Sequence, residues 1–421
     1  MNLVRRPDAG RRNLPRFRIA ACLLLAGAVL PLTLLRFSGA AAGTRPAAPQ
    51  RDRAAAVVAI TRQAMKADHL MAVIVRVTID GRPVVTQALG ESMTGVPATT
   101  SMHFRNGAVA ISYMSTLLME YVDEHKVSLG DKVARWLPDL PDARVVTLKM
   151  LANMTSGYPD YVTDPAFDKA YLENPFQSFT ARQLLGYAFS RPMSFRPGTN
   201  WGYAHTNYVI LGEILQKVGG APLAELLNQK VLRPLGLTQT VASATASIPS
   251  PVLHAFDSER RETLQIPPGI PFYEESTYWN PSWTLAPGAV ETTDIYDMTR
   301  TAEGIGRGEL LTRRSYELQT GPHLLGFGSS LPGCSCAKQT PYYNYGLGIV
   351  RSGQWLLQNP MFNGYGATEA YLPSEKIAIA VAVTFGPQAF DADGDTTNAS
   401  TAIFRAIGTY LAPKSPPPAR P

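Results

Sequence analysis

Strand-like segments lie near both ends of this 421-residue chain, and the long stretch between them has the periodicity of helices. Residues 71–78 and 83–89 are rich in apolar residues and are joined by Ile79-Asp80-Gly81-Arg82, where the Asp-Gly pair is typical of a tight hairpin turn. Segments so far apart bury their apolar faces together only if the two ends of the chain join one sheet, which we expect to be antiparallel. The remaining strand patterns are at 345–351, 354–357, 368–372 and 377–385.

Helical periodicity accompanies both groups of strands. The segments 53–68 and 398–411 are predicted to be helices that cover the sheet. Residues 110–126 are predicted to form an amphipathic helix, because apolar residues recur there at helical spacing. Residues 140–290 are interpreted as short helices joined by Pro-rich connections.

The sequence therefore predicts one α+β domain over residues 53–411. Residues of about 53–107 and 290–411 should form a lobe in which an antiparallel sheet is flanked by the N- and C-terminal helices. Residues of about 108–289 should form a mostly helical second lobe. The Pro-rich residues 412–421 are expected to be disordered.

An Arg-rich segment at the start of the chain precedes an apolar run at residues 19–35 and the small-residue sequence Ala40-Ala41-Ala42. This order predicts a secretory signal peptide over residues 1–42, or an N-terminal membrane anchor through residues 19–35 if no cleavage occurs. The protein is then exported, and it is either secreted or associated with the cell envelope. A short Pro/Ala linker is predicted at 43–52.

The positive charge of the chain is concentrated in that leader. The formal net charge is +6, but residues 1–42 contain seven Arg and one Asp, so the remaining chain carries 32 basic and 32 acidic side chains. A protein that binds nucleic acid needs a basic patch on its folded domain. The charge distribution therefore gives no support for a nucleic-acid partner.

Five short motifs follow one another in a fixed order along the chain. They are Val127-Ser128-Leu129-Gly130-Asp131, Leu151-Ala152-Asn153-Met154-Thr155-Ser156-Gly157-Tyr158-Pro159-Asp160-Tyr161, Phe195-Arg196-Pro197-Gly198-Thr199-Asn200-Trp201-Gly202-Tyr203, Pro234-Leu235-Gly236-Leu237-Thr238 and Tyr345-Gly346-Leu347-Gly348. Together they resemble the β-lactamase-related, penicillin-binding-protein-like serine hydrolases, a family of class C β-lactamases, D-alanyl-D-alanine carboxypeptidases and esterases. The resemblance implies a β-lactamase/transpeptidase-like fold with the active-site cleft between its two lobes.

The resemblance also implies where a nucleophile would lie. In this family a serine at the start of a long helix is followed, one helical turn later, by a lysine. Here the chain reads Phe104-Arg105-Asn106-Gly107-Ala108-Val109-Ala110-Ile111, so Ala108 takes the serine position and Ile111 takes the lysine position. Alanine has no hydroxyl to acylate, and isoleucine has no amine to act as a base. We expect both side chains to pack the floor of the cleft.

Two further family motifs are also altered. The Tyr-x-Asn motif reads Tyr203-Ala204-His205, which keeps the tyrosine and replaces the asparagine by histidine. Phe362 takes the basic position of the Lys-Thr-Gly or His-x-Gly motif. Without an adjacent lysine, Tyr203 is expected to be a neutral hydrogen-bond donor. His205 either acts as an acid or base or forms a hydrogen bond in the cleft wall.

Other serines and the cysteines supply alternatives. Ser112, one helical turn after Ala108, is the alternative nucleophile, with His205 or Tyr203 as its partner. The literal Ser-x-x-Lys sequence Ser335-Cys336-Ala337-Lys338 is expected to be a chance match in a loop. The spacing of Cys334 and Cys336, on either side of that serine, suits a tight disulfide or two free thiols. The histidines show no metal-ligand spacing, so neither a metal nor a cofactor is expected.

Three functional hypotheses follow from these substitutions. The first, which the altered motifs favour, is an exported, non-hydrolytic binding or regulatory protein, a pseudoenzyme of the cell envelope. Its ligand in the inter-lobe cleft would be an unknown small molecule, a cell-wall peptide or a lipid. The alternative is an active serine-type hydrolase, of esterase, β-lactamase or D-Ala-D-Ala carboxypeptidase type, that uses a non-standard nucleophile such as Ser112. The third hypothesis is a structural protein whose cleft is filled by side chains.

Overall fold

A nine-stranded antiparallel sheet organises the computed structural model, which describes residues 50–420 except residues 244, 268 and 290. The strands of the described chain are β1 (Leu70–Ile79), β2 (Arg82–Met93), β3 (Val96–Pro97), β4 (Phe104–Arg105), β5 (Gly202–Tyr203), β6 (Val241–Ala242), β7 (Phe256–Asp257), β8 (Glu274–Glu275), β9 (Glu291–Thr293), β10 (Ser335–Cys336), β11 (Asn344–Tyr345), β12 (Val350–Ser352), β13 (Trp355–Gln358), β14 (Met361–Phe362), β15 (Tyr365–Leu372) and β16 (Ile377–Phe385). Its α-helices are α1 (Gln50–Ala67), α2 (Val109–Asp123), α3 (Leu148–Ala152), α4 (Pro165–Glu173), α5 (Ala181–Ala188), α6 (Thr206–Gly219), α7 (Leu223–Leu227), α8 (Ile295–Arg307), α9 (Arg313–Thr320) and α10 (Ala399–Leu411).

The sheet joins the two ends of the chain, as the sequence predicts. Its order is β11-β12-β13-β15-β16-β1-β2-β3, and β14 pairs with β15. Strand β1 lies between β2 and β16, and all these pairings are antiparallel. The turn from β1 to β2 places Asp80 at φ 51° and Gly81 at φ 74°. This is the left-handed conformation that a tight hairpin turn requires, so the predicted hairpin is confirmed.

Helices cover both faces of the sheet. Val73, Val75 and Val77 of β1 pack in the main core with residues of α1 and α10. Ala72 and Ile74 of the same strand point to the other face, where residues of α8 cover them. A strand that is buried on both faces has a continuous apolar sequence, which explains why β1 does not alternate with polar residues. The observed architecture is the predicted α+β fold with flanking terminal helices.

Helix α8 is an element that the sequence analysis does not predict. Its signals are nevertheless present, because Asp294 caps its first turn and Gly308 ends it in the left-handed conformation at φ 68°. Between these caps, Ile295, Met298 and Ala302 recur at helical spacing and are buried against the sheet. The helix closes the second face of the sheet, which the terminal helices leave open.

Helix α2 is buried on almost all sides, which corrects the prediction of an amphipathic helix over 110–126. Twelve of its fifteen residues are buried. The reason is that α6, α7 and α9 all contact it, so it forms the centre of the helical lobe and not its surface. A helix that is apolar all round is one that neighbouring elements surround.

The two ends of the predicted domain also differ from expectation. Helix α1 begins at Gln50, so the last residues of the linker predicted at 43–52 are helical. The predicted leader over 1–42 and residues 43–49 lie outside the described residues. Among the helices of the described residues, none has both the length and the apolar character to cross a membrane.

The Pro-rich tail is ordered against the body of the protein, so the prediction of disorder over 412–421 is wrong for the part that the structure describes. The indole N–H of Trp355 donates to the Ser415 carbonyl at 2.9 Å. The Arg405 guanidinium donates to the Pro418 carbonyl at 2.6 Å. Proline ends the helix, but donors on β13 and α10 satisfy the carbonyls of the tail and hold it in place.

Glu369 is a buried carboxyl group in the sheet. It lies on β15 opposite Gln358 and Ala380, and only 4% of it is exposed. Burial raises the pKa of the Glu369 carboxyl to about 8. The folded protein therefore keeps a proton that the unfolded chain releases near pH 4. The stability from this group is fully present below about pH 4 and is lost as the pH rises towards 8.

We expect Glu369→Gln to flatten the pH dependence of stability. The fall in unfolding free energy between pH 5 and pH 8 should shrink by roughly 3 kcal/mol, because glutamine has no proton to lose. Urea titrations of both proteins at the two pH values measure this difference. An equal fall in both proteins would show that Glu369 is ionised in the fold.

Candidate active site

The first turn of α2 holds the position where the resemblance places the nucleophile. Strand β4 pairs with β9, and the chain then turns through Gly107, at φ 50°, into Ala108 at the helix N-terminus. The amides of Val109, Ala110 and Ile111 each donate to the carbonyl three residues earlier, at 3.1 to 3.2 Å. This turn therefore offers a substrate neither a hydroxyl nor these three amides as oxyanion donors.

Ala108 and Ile111 both pack into the main hydrophobic core. Ala108 is 8% exposed and Ile111 is fully buried. A lysine at the second position would place an ammonium group among apolar side chains, where desolvation strongly disfavours the charged form. The helix start is therefore built as a packed floor.

Ser112, the alternative nucleophile, does not face the cleft as a free hydroxyl. Its side chain is fully buried, and the hydroxyl donates to the Val109 carbonyl of its own helix at 2.7 Å. The Ser112 carbonyl in turn accepts a hydrogen bond from the Thr116 hydroxyl. A serine that bonds back to its helix in this way plays a structural part. His205, the proposed base, bonds to a different group.

His205 forms a buried pair with Asp160. The imidazole Nδ1 lies 3.1 Å from Asp160 Oδ2, and the backbone N–H of His205 donates to Asp160 Oδ1 at 3.1 Å. Both side chains are almost fully buried. The carboxylate fixes the orientation of the ring, so that Nε2 is the nitrogen left for other contacts. The sequence leaves open an acid–base role or a hydrogen bond in the cleft wall for His205; the structure shows a hydrogen bond, and its partner is Asp160.

Tyr203 lies beside this pair on the short strand β5. Its ring meets the His205 ring edge-on, with 5.1 Å between the centroids, and only 5% of the residue is exposed. Strand β5 is held on one side by a hydrogen bond from Gly202 to the Met154 carbonyl. On the other side it pairs with β10.

The Ser-x-x-Lys match, which is predicted to lie in a loop, begins in β10, whose two residues are Ser335 and Cys336. Ser335 is the cross-strand partner of Tyr203. Directly opposed residues of an antiparallel pair have side chains on the same face, about 5 Å apart at Cβ. Two-residue strands have no sequence periodicity, so this neighbourhood could not be predicted. Cys334 and Cys336 form a disulfide around this serine, which decides between the two states that their spacing allows.

Phe362, at the position of the family's basic residue, lies next to the start of α2. A Cβ atom placed on Gly107 would lie 3.2 Å from the Phe362 Cβ, so strand β14 and the helix start are in direct contact. The Phe362 ring stacks on Trp283, with centroids 5.5 Å apart. Only 4% of Phe362 is exposed. An aromatic pair therefore fills the space that a cationic side chain would occupy.

The cavity beside this aromatic pair is too small for a substrate. Its volume is about 20 Å³, which is room for one water molecule. Asp257 and Glu259 line it together with Phe362 and Trp283. Burial raises the pKa of both carboxyl groups. None of the residues that line this cavity is cationic, so it supplies no positive charge to hold a ligand carboxylate.

A larger cavity, of about 680 Å³, lies elsewhere, where α1 passes the β1–β2–β16 part of the sheet. Arg62, His69, Glu91 and Gln388 are on its rim. None of the altered motif positions lines it. The size of this cavity therefore says nothing about the chemistry at the start of α2.

Comparison with known proteins identifies the family of the chain. The sequence model of the family described as "Beta-lactamase" matches residues 57–402, which is most of the chain. The chain belongs to the beta-lactamase family.

The relatives include proteins named as enzymes and proteins without an assigned role. Protein Rv1367c of Mycobacterium tuberculosis is 28% identical over 188 residues, which cover 40% of this chain and 46% of that protein. A putative D-alanyl-D-alanine carboxypeptidase of Escherichia coli is 28% identical over 132 residues, or 30% of each chain. The chain thus matches less than half the length of these curated relatives.

The fold also matches a solved structure over nearly its whole length. The crystal structure of a D-stereospecific amidohydrolase from Streptomyces sp. superposes with a TM-score of 0.68 at 22% identity, covering 83% of this chain and 98% of that one. A likeness at this identity shows the shared fold and leaves the chemistry to the site residues.

Asp160 is the site residue that the sequence analysis misses. It lies within the quoted motif that ends in Pro159-Asp160-Tyr161, yet its partner is 45 residues further along the chain.

We expect Asp160→Ala to lower the unfolding free energy by about 3 kcal/mol, because it leaves the buried His205 donors unsatisfied. Asp160→Asn, which keeps an acceptor, should cost less. Thermal or urea unfolding measures both, and equal stability of all three proteins would rule out a structural role for the pair.

Proposed function

We propose that the protein is an exported, non-hydrolytic binding or regulatory member of the beta-lactamase family, a pseudoenzyme of the cell envelope. One observation supports the proposal: packed apolar side chains lie at the positions to which the resemblance assigns the nucleophile, the base and the cationic residue. Ala108, Ile111 and Phe362 are each less than 9% exposed. Removal of the nucleophile from a serine protease costs on the order of a million-fold in kcat, and here the base is replaced as well.

The remaining polar groups suggest what such a cleft would accept. Tyr203 and the Asp160–His205 pair supply hydrogen-bonding groups, and the adjoining cavity is lined by no cationic residue. A neutral part of a small molecule, cell-wall peptide or lipid therefore fits better than a free carboxylate. Binding requires that Phe362 or Trp283 move, because the cavity beside these two stacked rings holds about one water molecule.

Turnover assays test the proposal. The purified protein is incubated with nitrocefin and, separately, with a p-nitrophenyl ester, and product formation is compared with that in buffer. We expect no turnover above the buffer rate with either substrate. Turnover that survives purification and disappears in a single serine-to-alanine variant would overturn the proposal and name the nucleophile.

The active-hydrolase alternative keeps one supporting observation, which concerns Ser335 and not Ser112. Ser335 lies directly across from Tyr203, whereas the Ser112 hydroxyl is buried and bonded to its own helix. If the protein is a hydrolase with a non-standard nucleophile, Ser335→Ala should abolish its turnover and Ser112→Ala should not. This pair of variants separates the two versions of the alternative.

Export is part of the proposal and rests on the leader in residues 1–42. N-terminal sequencing of the protein recovered from its native host tests this part. A first residue just after Ala42 would support cleavage and secretion, and an intact N-terminus in the membrane fraction would support the anchor. Full-length protein in the cytosol would refute export.

A further inference from the structure

The disulfide between Cys334 and Cys336 spans two positions of the sequence and lies against the strand that carries Tyr203. In the β10–β5 pair, Cys336 is the partner of Gly202, and Ser335 is the partner of Tyr203. The pairing continues through a hydrogen bond from the Ala337 amide to the Trp201 carbonyl at 3.4 Å. The disulfide is therefore joined to the candidate site through backbone hydrogen bonds.

Contact between the disulfide and β5 is also direct. A Cβ atom placed on Gly202 would lie 2.9 Å from the Cys336 sulfur, so only glycine lets the sulfur rest on this strand. Tyr203, the next residue, has its ring against His205. A displacement of Cys336 would consequently move Gly202, which is the residue directly before Tyr203.

The loop that this disulfide closes is too short for a general stabilising role. In the chain-entropy account, a cross-link stabilises the folded state by restricting the unfolded chain, and the gain increases with the length of the closed loop. A link between residues two positions apart restricts very little of the chain. Its effect is therefore local, on the conformation of β10.

The two sulfurs differ in access. Cys336 is 8% exposed and packs on Gly202, whereas Cys334 is only half-buried. An incoming thiolate must reach the sulfur that it attacks, and the other sulfur becomes the leaving group. Cys334 is thus the attacked atom, and Cys336 is the thiol released beside β5.

We propose that Cys334–Cys336 is a thiol–disulfide exchange site whose reduction changes the conformation of β5 and Tyr203. A thiolate of an external dithiol attacks the Cys334 sulfur, the S–S bond breaks, and Cys336 leaves as a thiolate that takes up a proton. The second thiol of the reductant then attacks the mixed disulfide and releases Cys334. Two electrons pass to the protein, and the dithiol becomes a disulfide.

The inference goes beyond the proposed function, because it holds whether the cleft binds a ligand or performs chemistry. Reduction breaks the covalent link between Cys334 and Cys336, the residues on either side of Ser335. The disulfide then no longer restrains β10, so the two-residue pairing of β10 with β5 becomes less stable. The backbone hydrogen bonds of β5 should then open more often, while the amides of β1 and β16 in the centre of the sheet remain protected from hydrogen exchange.

The test uses the full chain in a Cys22→Ala background, so that every thiol counted comes from Cys334 and Cys336. Native protein is treated with dithiothreitol, thiols are titrated, and hydrogen–deuterium exchange is followed by mass spectrometry on peptides spanning residues 198–208. We expect two thiols per chain and at least about tenfold faster exchange in these peptides, with unchanged exchange in β1 and β16. Reoxidation should reverse the change.

A Cys334→Ser/Cys336→Ser double variant is the matched control. It should show the faster exchange without reductant and should not respond to dithiothreitol. Two results overturn the proposal. In one, thiols appear only when the whole protein unfolds. In the other, thiols appear in the native protein and exchange in residues 198–208 stays the same. Because the reduction experiment in the Cys22→Ala background keeps Cys334 and Cys336, it remains a valid test even if the double variant fails to fold.

Discussion

Replacing Ile111 by lysine is expected to destabilise the protein by about 4 kcal/mol or more at pH 7, although relatives of the resembled family carry lysine at this position. The side chain of Ile111 is fully buried in the main core. The neighbouring Ala108 supplies no hydroxyl to bond the ammonium. Burial would depress the pKa of the introduced amine, so the penalty is largest at a pH below that depressed pKa, declines as the pH rises above it, and vanishes above the ordinary lysine value near 10.

Urea unfolding of Ile111→Lys at pH 7 and pH 10 measures this effect, and two variants serve as controls. Ile111→Met keeps the apolar character and similar volume, so it should cost less than about 1.5 kcal/mol. Ala108→Ser adds a hydroxyl without a base and should change stability little while producing no hydrolysis. If Ile111→Lys were as stable as the wild type at pH 7, the helix start would be open to water and the packed-floor account would fail.

Truncation of Phe362 is expected to have a similarly large effect. Phe362→Ala should lower the unfolding free energy by about 3 to 5 kcal/mol, because the ring is buried and stacks on Trp283. Its removal also enlarges the 20 Å³ cavity and opens the cleft beside the start of α2. We therefore expect the variant to bind small aromatic molecules that the wild type excludes, because the removed ring leaves a space of its own shape beside Trp283 and a cavity left by a large apolar side chain can accept benzene.

The exposed aromatic Phe176 provides the matched comparison. It is 59% exposed, so Phe176→Ala should change the unfolding free energy by less than about 0.5 kcal/mol. Thermal unfolding with and without benzene measures stability and ligand entry in the same samples. A cost below 1 kcal/mol for Phe362→Ala, as small as that for an exposed ring, would mean that Phe362 points into an open cleft and does not fill it.

Local sequence signals predicted the parts of the fold that depend on neighbouring residues. The Asp80-Gly81 hairpin follows from two residues that favour positive φ, and both adopt it. The helix predicted over 398–411 follows from apolar spacing, and the structure shows α10 at Ala399–Leu411 with Asn398 as its N-terminal cap. The resemblance predicted the β-lactamase/transpeptidase-like fold and assigned Phe362 to a motif of the inter-lobe cleft.

The features that sequence analysis missed depend on contacts between distant residues. Asp160 is one carboxylate among many until the fold places it against His205. Strand β10 has two residues and no periodicity, so the contact of Ser335 with the Tyr203 strand is visible only in three dimensions. The tail beyond α10 has the Pro-rich composition that is typical of disordered segments, but the indole of Trp355 donates a hydrogen bond to it. No local sequence pattern predicts this contact. Helix α8 is different, because its capping residues and its apolar spacing are local features of the sequence.

Intact-mass spectrometry of the purified protein after incubation with a fluorophosphonate, and separately with a penicillin, tests the central claim most directly. Circular dichroism of the same sample confirms that it is folded, and an active serine hydrolase treated in parallel confirms the reagents. We predict that the mass of the protein does not change with either reagent, because Ala108 has no hydroxyl and the Ser112 hydroxyl is buried and bonded to its own helix. A stoichiometric adduct on one residue would contradict the account, and its position would identify the nucleophile.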